Sequence, residues 1–184
     1  MNFHALTAGR QKMRLTMETI STPIGDMRLA ADADGFLRAA DFADCDDRLA
    51  ALLQRRFGVE GFSLTPGKLA PAIGDAFAAY FEGEISAIDR IQVKTGGTAF
   101  QQTVWQALRA IAPGSALAYG RLAEQLGKPQ SARAVGHANG ANPFNIVIPC
   151  HRLVGANGAL TGYAGGIHRK RWLLDHEARH APSA

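Results

Sequence analysis

The segment Tyr119-Gly120-Arg121-Leu122-Ala123-Glu124-Gln125-Leu126-Gly127-Lys128-Pro129-Gln130-Ser131-Ala132-Arg133-Ala134-Val135-Gly136-His137-Ala138-Asn139 holds two short helical patterns about a breaker. Leu122, Ala123 and Leu126 give the first an apolar face, Gly127-Lys128-Pro129 stops it, and Ser131 can start the second. Two short helices about a tight glycine-containing turn form either a generic helical hairpin or a helix-turn-helix. The second helix decides between them. Ala132, Ala134, Gly136, Ala138 and Gly140 make it small-sided, a costly composition for a helix but one that lets its backbone come close to another surface. Arg133 is its one long projection. Such a helix suits a groove, and the pattern reads as a helix-turn-helix.

Working outward, the chain next reaches Asn145-Ile146-Val147-Ile148-Pro149-Cys150-His151-Arg152. The β-branched run reads as a short strand that delivers a side chain at its C-terminal end, and Pro149 fixes the backbone just before the thiol. A cysteine attacks as its thiolate, and neighbouring His or Arg charge lowers a thiol pKa. Cys150 is therefore expected to be a low-pKa nucleophile. Cys45 is the internal control: in Asp44-Cys45-Asp46-Asp47 three carboxylates raise its pKa, and it is assigned no role. Beyond the box, Gly155-Ala156-Asn157-Gly158-Ala159 and Thr161-Gly162-Tyr163-Ala164-Gly165-Gly166 are turn-rich loops that fit neither a P-loop nor a dinucleotide fingerprint, and they read as pocket walls. A last helix from Ile167 to Ala178 carries Trp172, Leu173 and Leu174 as core contacts. On position alone Glu177 reads as a solvated carboxylate near its end.

Composition bounds the function. The 184 residues are 47% hydrophobic and 20% charged, as in a soluble globular protein, and no apolar run reaches the length of a signal-peptide core or a membrane span. Two cysteines in unlike surroundings make neither a disulfide framework nor a four-ligand zinc site, so a reducing cytoplasm and no metal are expected. Charge is uneven: residues 1–97 hold 11 Lys and Arg against 13 Asp and Glu, and residues 98–184 hold 9 against 3. A basic half beside a reactive thiol points to a polyanionic partner, nucleic acid first.

The other half reads differently. A tail over 1–16 shows no period; a strand follows from Met17 to the turn near Asp26, and two more, Met27 to Ala33 and Phe36 to Phe42, flank the hairpin signal Asp34-Gly35. Helical spacing then appears over Asp46 to Phe57 and Leu69 to Phe81. Thr95-Gly96-Gly97-Thr98 punctuates the chain, with Thr98 able to cap a helix carrying Phe100, Val104, Leu108 and Ile111. The fold class is α/β of the α+β kind. A small antiparallel-sheet domain with helices spans 17–97. A mostly helical domain, with the helix-turn-helix and a short active-site strand, spans 98–180.

Taken together, Tyr119-Gly120, Ser131 to Gly136, Asn142-Pro143, Ile148 to Arg152, Gly162 to Gly166, Lys170 to Leu174 and Glu177 resemble the O6-alkylguanine-DNA alkyltransferases, nearest the bacterial constitutive form. The likeness is strongest from Thr98 to Glu177. The resemblance implies that Cys150 accepts the alkyl group, that His151 relays its proton through a water, and that Glu177 orients and polarises the imidazole, which displaces the solvated reading of that carboxylate. It implies that Asn142 braces the turn before the active-site segment and that Tyr119 donates toward N3 of the departing guanine. Arg133 fills the gap left by a flipped base, with Ser131, Ala132, Gly136 and Arg152 against DNA. Tyr163, Ala164, Lys170, Val147, Ile148 and Pro149 line the substrate pocket. Many relatives have serine at Ala164, so a side-chain donor is absent here while the backbone N–H remains.

The same resemblance places the recognition helix in the minor groove, where small side chains fit and sequence readout is poor. It implies double-stranded DNA carrying O6-alkylguanine as partner, a monomer, no cofactor and one turnover per molecule. Methyl, ethyl and bulkier adducts are not ranked, nor is O6-alkylguanine against O4-alkylthymine. Three rivals explain less. A non-catalytic lesion binder would lack Cys150, a Cys-His hydrolase leaves the helix-turn-helix without purpose, and a simple regulator leaves the reactive box without purpose. The fused regulatory versions of the family use a cysteine-rich metal domain that this chain cannot build.

Overall fold

Alternating apolar residues at Met13, Leu15 and Met17 start the first strand four residues before the sequence suggests. The structure, a computed structural model, describes residues 12–181. In it β1 runs Met13–Ile20, β2 Met27–Asp32 and β3 Leu37–Phe42. Leu15 is buried, so at least part of the expected tail is core; residues 1–11 of that tail lie outside the described residues. The three strands pair antiparallel in chain order, as the Asp34-Gly35 signal requires. A fourth strand, β4 (Phe62–Pro66), corrects the all-antiparallel expectation: it lies parallel to β1, from Met13 opposite Phe62 to Met17 opposite Pro66. The sheet is mixed, in the order β3-β2-β1-β4. Five residues with only Phe62 and Leu64 facing inward give too short an alternation to stand out in sequence.

Helix α1 (Asp46–Phe57) connects β3 to β4 and covers one face of the sheet, where Leu49 and Leu53 pack with Leu15, Ala30 and Ala39. Each of those two leucines, buried to 3% exposure or less, contributes about 1.5–3 kcal/mol. The opposite face, with Met27, Leu29, Ala31, Ala40 and Phe42, packs on α2 (Pro71–Glu82) and on the C-terminal half in one continuous core. Every residue of β3 is buried, because both faces are covered and its free edge is taken. Val93 bridges Leu37 on that edge, and Phe144 bridges Ala40: Ala40 N donates to Pro143 O and Asn145 N donates to Ala40 O, both at 2.8 Å. The segment that carries the site is thus docked on the sheet of the other half.

The C-terminal half comprises α3 (Ala99–Arg109), β5 (Leu117–Ala118), α4 (Tyr119–Gln125), α5 (Ala132–Gly140), β6 (Leu153–Val154) and α6 (Ile167–His180). Thr98 caps α3 in a reciprocal box with Gln101. Helices α4 and α5 form the expected pair, and Trp105 of α3 donates from Nε1 to Ala138 O at 2.8 Å, fixing α5 on the core. No helix among the described residues is long and apolar enough to cross a membrane.

The expected active-site strand is a correction. Residues 145–148 form turns, closed by Ile148 N to Phe144 O at 3.0 Å, and Cys150–Arg152 is a single 3-10 turn. The strand β6 comes only after it, parallel to β5. Ile146 sits at φ +71°, where a β-branched residue is strained by roughly 1–3 kcal/mol. The run is apolar because it is enclosed on all sides: Ile146, Val147 and Ile148 are each 1% exposed.

Candidate active site

The turn from α5 to the reactive box is braced by one amide. Asn142 Oδ1 accepts from Phe144 N at 3.0 Å, and Nδ2 donates to Ile148 O at 2.8 Å and Phe144 O at 3.3 Å. Five residues that would otherwise be free to rearrange are held at both ends. Beyond them Cys150, 4% exposed, donates from Sγ to Asn145 Oδ1 at 3.5 Å. Asn145 in turn donates to Asp41 of β3, which is ion-paired with Arg48 of α1. Arg48 Nη2 returns to the turn, donating to Asn142 O at 2.7 Å. Thiol, turn and sheet are one hydrogen-bonded circuit.

The expected low thiol pKa is reversed. Burial pushes the Cys150 thiol up, and this outweighs the smaller downward pull of an Asn142 hydrogen bond and of the charges on Arg48 and Lys170. The two neighbours credited with lowering it face elsewhere. His151 Nε2 and Arg152 both bond Glu177, from α6: Nε2 to Oε1 at 2.9 Å, Arg152 Nε to Oε2 at 2.8 Å and Nη2 to Oε1 at 2.9 Å. Arg152 also donates from Nη1 to Ile111 O at 2.5 Å. Its assignment against DNA is therefore corrected: it is a buried strut, 5% exposed.

Glu177 is wholly buried, against its reading as a solvated carboxylate, and accepts further from the Tyr80 hydroxyl of α2 at 3.0 Å and from Gly114 N at 3.3 Å. Burial opposes its ionisation, but His151 and Arg152 more than offset this and hold the carboxyl well below the ordinary carboxylate range. Burial lowers His151, so the imidazole is neutral near pH 7 in spite of Glu177. An ionised carboxylate only accepts, so Nε2 carries the ring proton and Nδ1 the lone pair. Nδ1 is buried with no hydrogen-bond partner among the described residues. The arrangement is a neutral base, its acceptor nitrogen Nδ1 unpaired among the described residues, on the residue that follows a protonated thiol.

Around it, Tyr163 meets the His151 ring edge-on at 6.5 Å, and its hydroxyl is also buried without a hydrogen-bond partner among the described residues. Tyr119, the first residue of α4, has its phenol pushed up by burial and then by Cys150. Lys170 is fully buried, donates from Nζ to Thr161 O at 2.7 Å, and is pushed down by burial while Cys150 pulls it up. Ala164 O accepts from Cys45 Sγ at 3.5 Å. Val147, Ile148 and Pro149 are buried in the turn before the thiol. On α5, Arg133 is exposed, and Ser131, Ala132 and Gly136 are half-buried, Ser131 preceding the helix without a side-chain cap bond. Asn145, Asp41, Arg48 and Tyr80 escaped the sequence reading. Asn145 and Asp41 left a signal, a polar residue inside each of two apolar runs; Arg48 and Tyr80 look like ordinary helix residues.

A buried cysteine and a neutral imidazole–carboxylate pair, in one half with a small-sided helix-turn-helix, define a class of cysteine-nucleophile proteins built to meet nucleic acid. The comparisons with known proteins narrow it. Residues 99–179 match the family model described as 6-O-methylguanine DNA methyltransferase, DNA binding domain. The chain is 49% identical over 165 residues to the methylated-DNA–protein-cysteine methyltransferase of Salmonella typhimurium, covering 90% of this chain and 96% of the relative. It is 51% identical over 118 residues to the protein of that name from Mycobacterium bovis, covering 64% and 70%. Among solved structures, Mycobacterium tuberculosis OGT in complex with DNA superposes with a TM-score of 0.73 at 38% identity, over 92% of this chain and 96% of that one. The O6-methylguanine-DNA methyltransferase of Pyrococcus kodakaraensis gives 0.69 at 30%, over 89% and 98%. The chain belongs to the methylated-DNA–protein-cysteine methyltransferase family.

Proposed function

We propose that this chain repairs DNA by direct reversal, moving the alkyl group of O6-alkylguanine in double-stranded DNA onto Cys150. It acts once per molecule, as a cytoplasmic monomer and without a cofactor. The observation that carries this reading is the buried Cys150 beside neutral His151, whose other nitrogen is committed to ionised Glu177.

A thiol raised by burial is protonated at rest, so the nucleophile must be made at the moment of transfer. His151 Nδ1 takes the proton through a water, Glu177 stabilises the imidazolium that results, and the ammonium of Lys170 stabilises the thiolate. The sulfur then bonds the alkyl carbon as the carbon–O6 bond breaks, and the electron pair goes to the guanine. Tyr119 donates toward N3 to neutralise that charge, and the purine gains one proton for the one the sulfur lost. The product thioether has no facile route back to thiol.

A base inside a duplex cannot reach a buried sulfur, so the lesion must rotate out, at a cost of a few kcal/mol that weakened pairing reduces. The exposed Arg133 on a small-sided helix suits the gap left behind. Intact-protein mass after incubation with a duplex carrying one O6-methylguanine tests the reading. The mass should rise by one methyl group less the proton it replaces, one per protein, while Cys150→Ser binds the duplex and gains nothing. Continued turnover on excess duplex with unmodified protein would establish a hydrolase instead.

A further inference from the structure

The loop 161–166, which carries Tyr163 and Ala164, hangs between two anchors set by adjacent residues of α6. Lys170 holds Thr161 O at one end, within the C-terminal half. At the other end Arg169 Nη1 donates to Gly165 O at 2.9 Å, and the rest of that guanidinium is fixed by the sheet half. Nε donates to Ile24 O at 2.8 Å, Nη1 and Nη2 take the two oxygens of Asp44 at 3.0 and 2.9 Å, and the plane lies 4.1 Å from the ring centroid of Phe42. Those contacts use four of its five N–H groups. The fork is rigid, so its four acceptors are fixed relative to one another.

The approach is close on both sides. A Cβ on Gly25 would stand 2.9 Å from Arg169 Nη2, and one on Gly165 would stand 2.6 Å from the Phe42 ring. With Phe42 wholly buried behind it, the loop cannot move toward the sheet. Its remaining freedom is away from the sheet, and that is the direction the bond from Arg169 to Gly165 O opposes.

On the reading that Cys150 accepts an alkyl group, we propose that the Asp44–Arg169 clamp, seated on Phe42, determines how large an alkyl group the site accepts. Asp44 and Arg169 are positioning residues. They touch neither substrate nor the Cys150 sulfur but hold the pocket wall at the width that suits a small adduct. The sheet half thereby governs a specificity that the reactive half alone would leave loose.

The test compares single-turnover transfer from duplexes carrying O6-methylguanine and O6-benzylguanine. Asp44 is largely exposed, so its replacement leaves no cavity. Asp44→Ala should raise the benzyl-to-methyl rate ratio roughly two- to five-fold, the ceiling for a partly exposed ion pair. Duplex affinity and melting midpoint should stay at wild-type values, and Asp44→Glu, which keeps a carboxylate within reach of Arg169, should restore the ratio. Arg169→Lys should give a ratio between those of wild type and Asp44→Ala. A wild-type protein that transfers while Asp44→Ala leaves the ratio unchanged, or slows both substrates equally, overturns the clamp alone. A wild-type protein that takes no alkyl group from either duplex overturns the proposed activity and this proposal with it.

Discussion

The two halves of the molecule contribute unlike things to one site. On the proposed reading, the half from residue 98 on supplies the atoms that would react and move protons, Cys150, His151, Tyr119 and Lys170, and the first two are sequence neighbours in one turn. The half before it supplies the atoms that hold them: Asp41 on Asn145, Arg48 on the carbonyl of Asn142, Tyr80 on Glu177 and Asp44 on Arg169. Reactivity is local in sequence, and positioning is not. A thiol raised by burial and an imidazole lowered by it work as a pair only if their geometry is fixed, and the sheet edge at Ala40 is where that geometry is referred to the rest of the fold.

The largest effects should come from within the reactive half. His151→Ala and Glu177→Gln are each expected to slow transfer by roughly a hundred-fold or more at neutral pH, the scale of general-base catalysis. The double variant should be little slower than the poorer single one, because members of one relay are not additive. Much of the loss should return at alkaline pH, where the thiol ionises unaided. A pH–rate profile of the single-turnover reaction checks this. Additive losses with no alkaline recovery would reduce both residues to structural supports, and the reactive half would shrink to the thiol alone.

Arg133→Ala follows. Holding a duplex open after the base has left is worth a few kcal/mol, so duplex repair should slow by about ten- to a hundred-fold. Reaction with free O6-benzylguanine, which needs no flipping, should be almost unaffected. Equal slowing of both would move Arg133 from the DNA face into the pocket.

The reactive box and the small-sided helix stood out in the sequence for a physical reason, whereas Glu177 entered only through the family resemblance. A thiol followed by His and Arg, and a helix stripped of side chains around one arginine, are compositions that packing alone does not select. What misled was the medium around them. Charges at Arg152 and His151 suggested a depressed thiol pKa, yet in the fold both turn to Glu177 and desolvation of the sulfur wins. The β-branched run suggested a strand, yet Ile146 to Ile148 are apolar because they are enclosed, and the backbone turns within them. Tyr80 lies 97 residues from its partner Glu177, and Arg48 lies 94 from Asn142. No local period encodes such pairings.

Arg48→Ala tests whether the sheet half merely supports. Asp41 is wholly buried and Arg48 about a fifth exposed, so removing the cation strands a buried carboxylate at about 2 kcal/mol, somewhat below the figure for a fully buried pair. Burial already raises the Asp41 pKa, and Arg48 is its main counterweight. Without Arg48 it rises further. A carboxyl raised in the fold favours the native state while protonated and loses that advantage as pH rises through its folded pKa. The deficit of the variant should therefore be full at neutral pH and smaller near pH 4, measurable as the difference in denaturant midpoints. Transfer should slow as well, because Arg48 also holds Asn142 O. A deficit independent of pH would mean that Asp41 finds another partner and that the circuit from sheet to thiol is not closed there.

The smallest effect belongs to the other cysteine, and it sharpens the comparison most cleanly because it changes a reactive atom in the positioning half. Cys45 is half-buried, its thiol raised by burial and then by Asp41 and Asp44, so it stays protonated and is a poor nucleophile. Its contacts are the weak donations to Ala164 O at 3.5 Å and to Asp44 Oδ1 at 3.7 Å. A serine hydroxyl can make either one, and it replaces sulfur at a site already partly wet. Cys45→Ser should thus leave the single-turnover rate within about two-fold and the melting midpoint nearly unchanged, as is usual for a substitution that creates no cavity and strands no polar group. The protein should still gain one methyl group on exposure to O6-methylguanine duplex, and peptide mapping should find it on Cys150. A methyl group on Cys45 in the wild type, or a large loss of rate in Cys45→Ser, would show that the sheet half supplies chemistry as well as position, and the division between the two halves would fail at the residue where their chemistries are most alike.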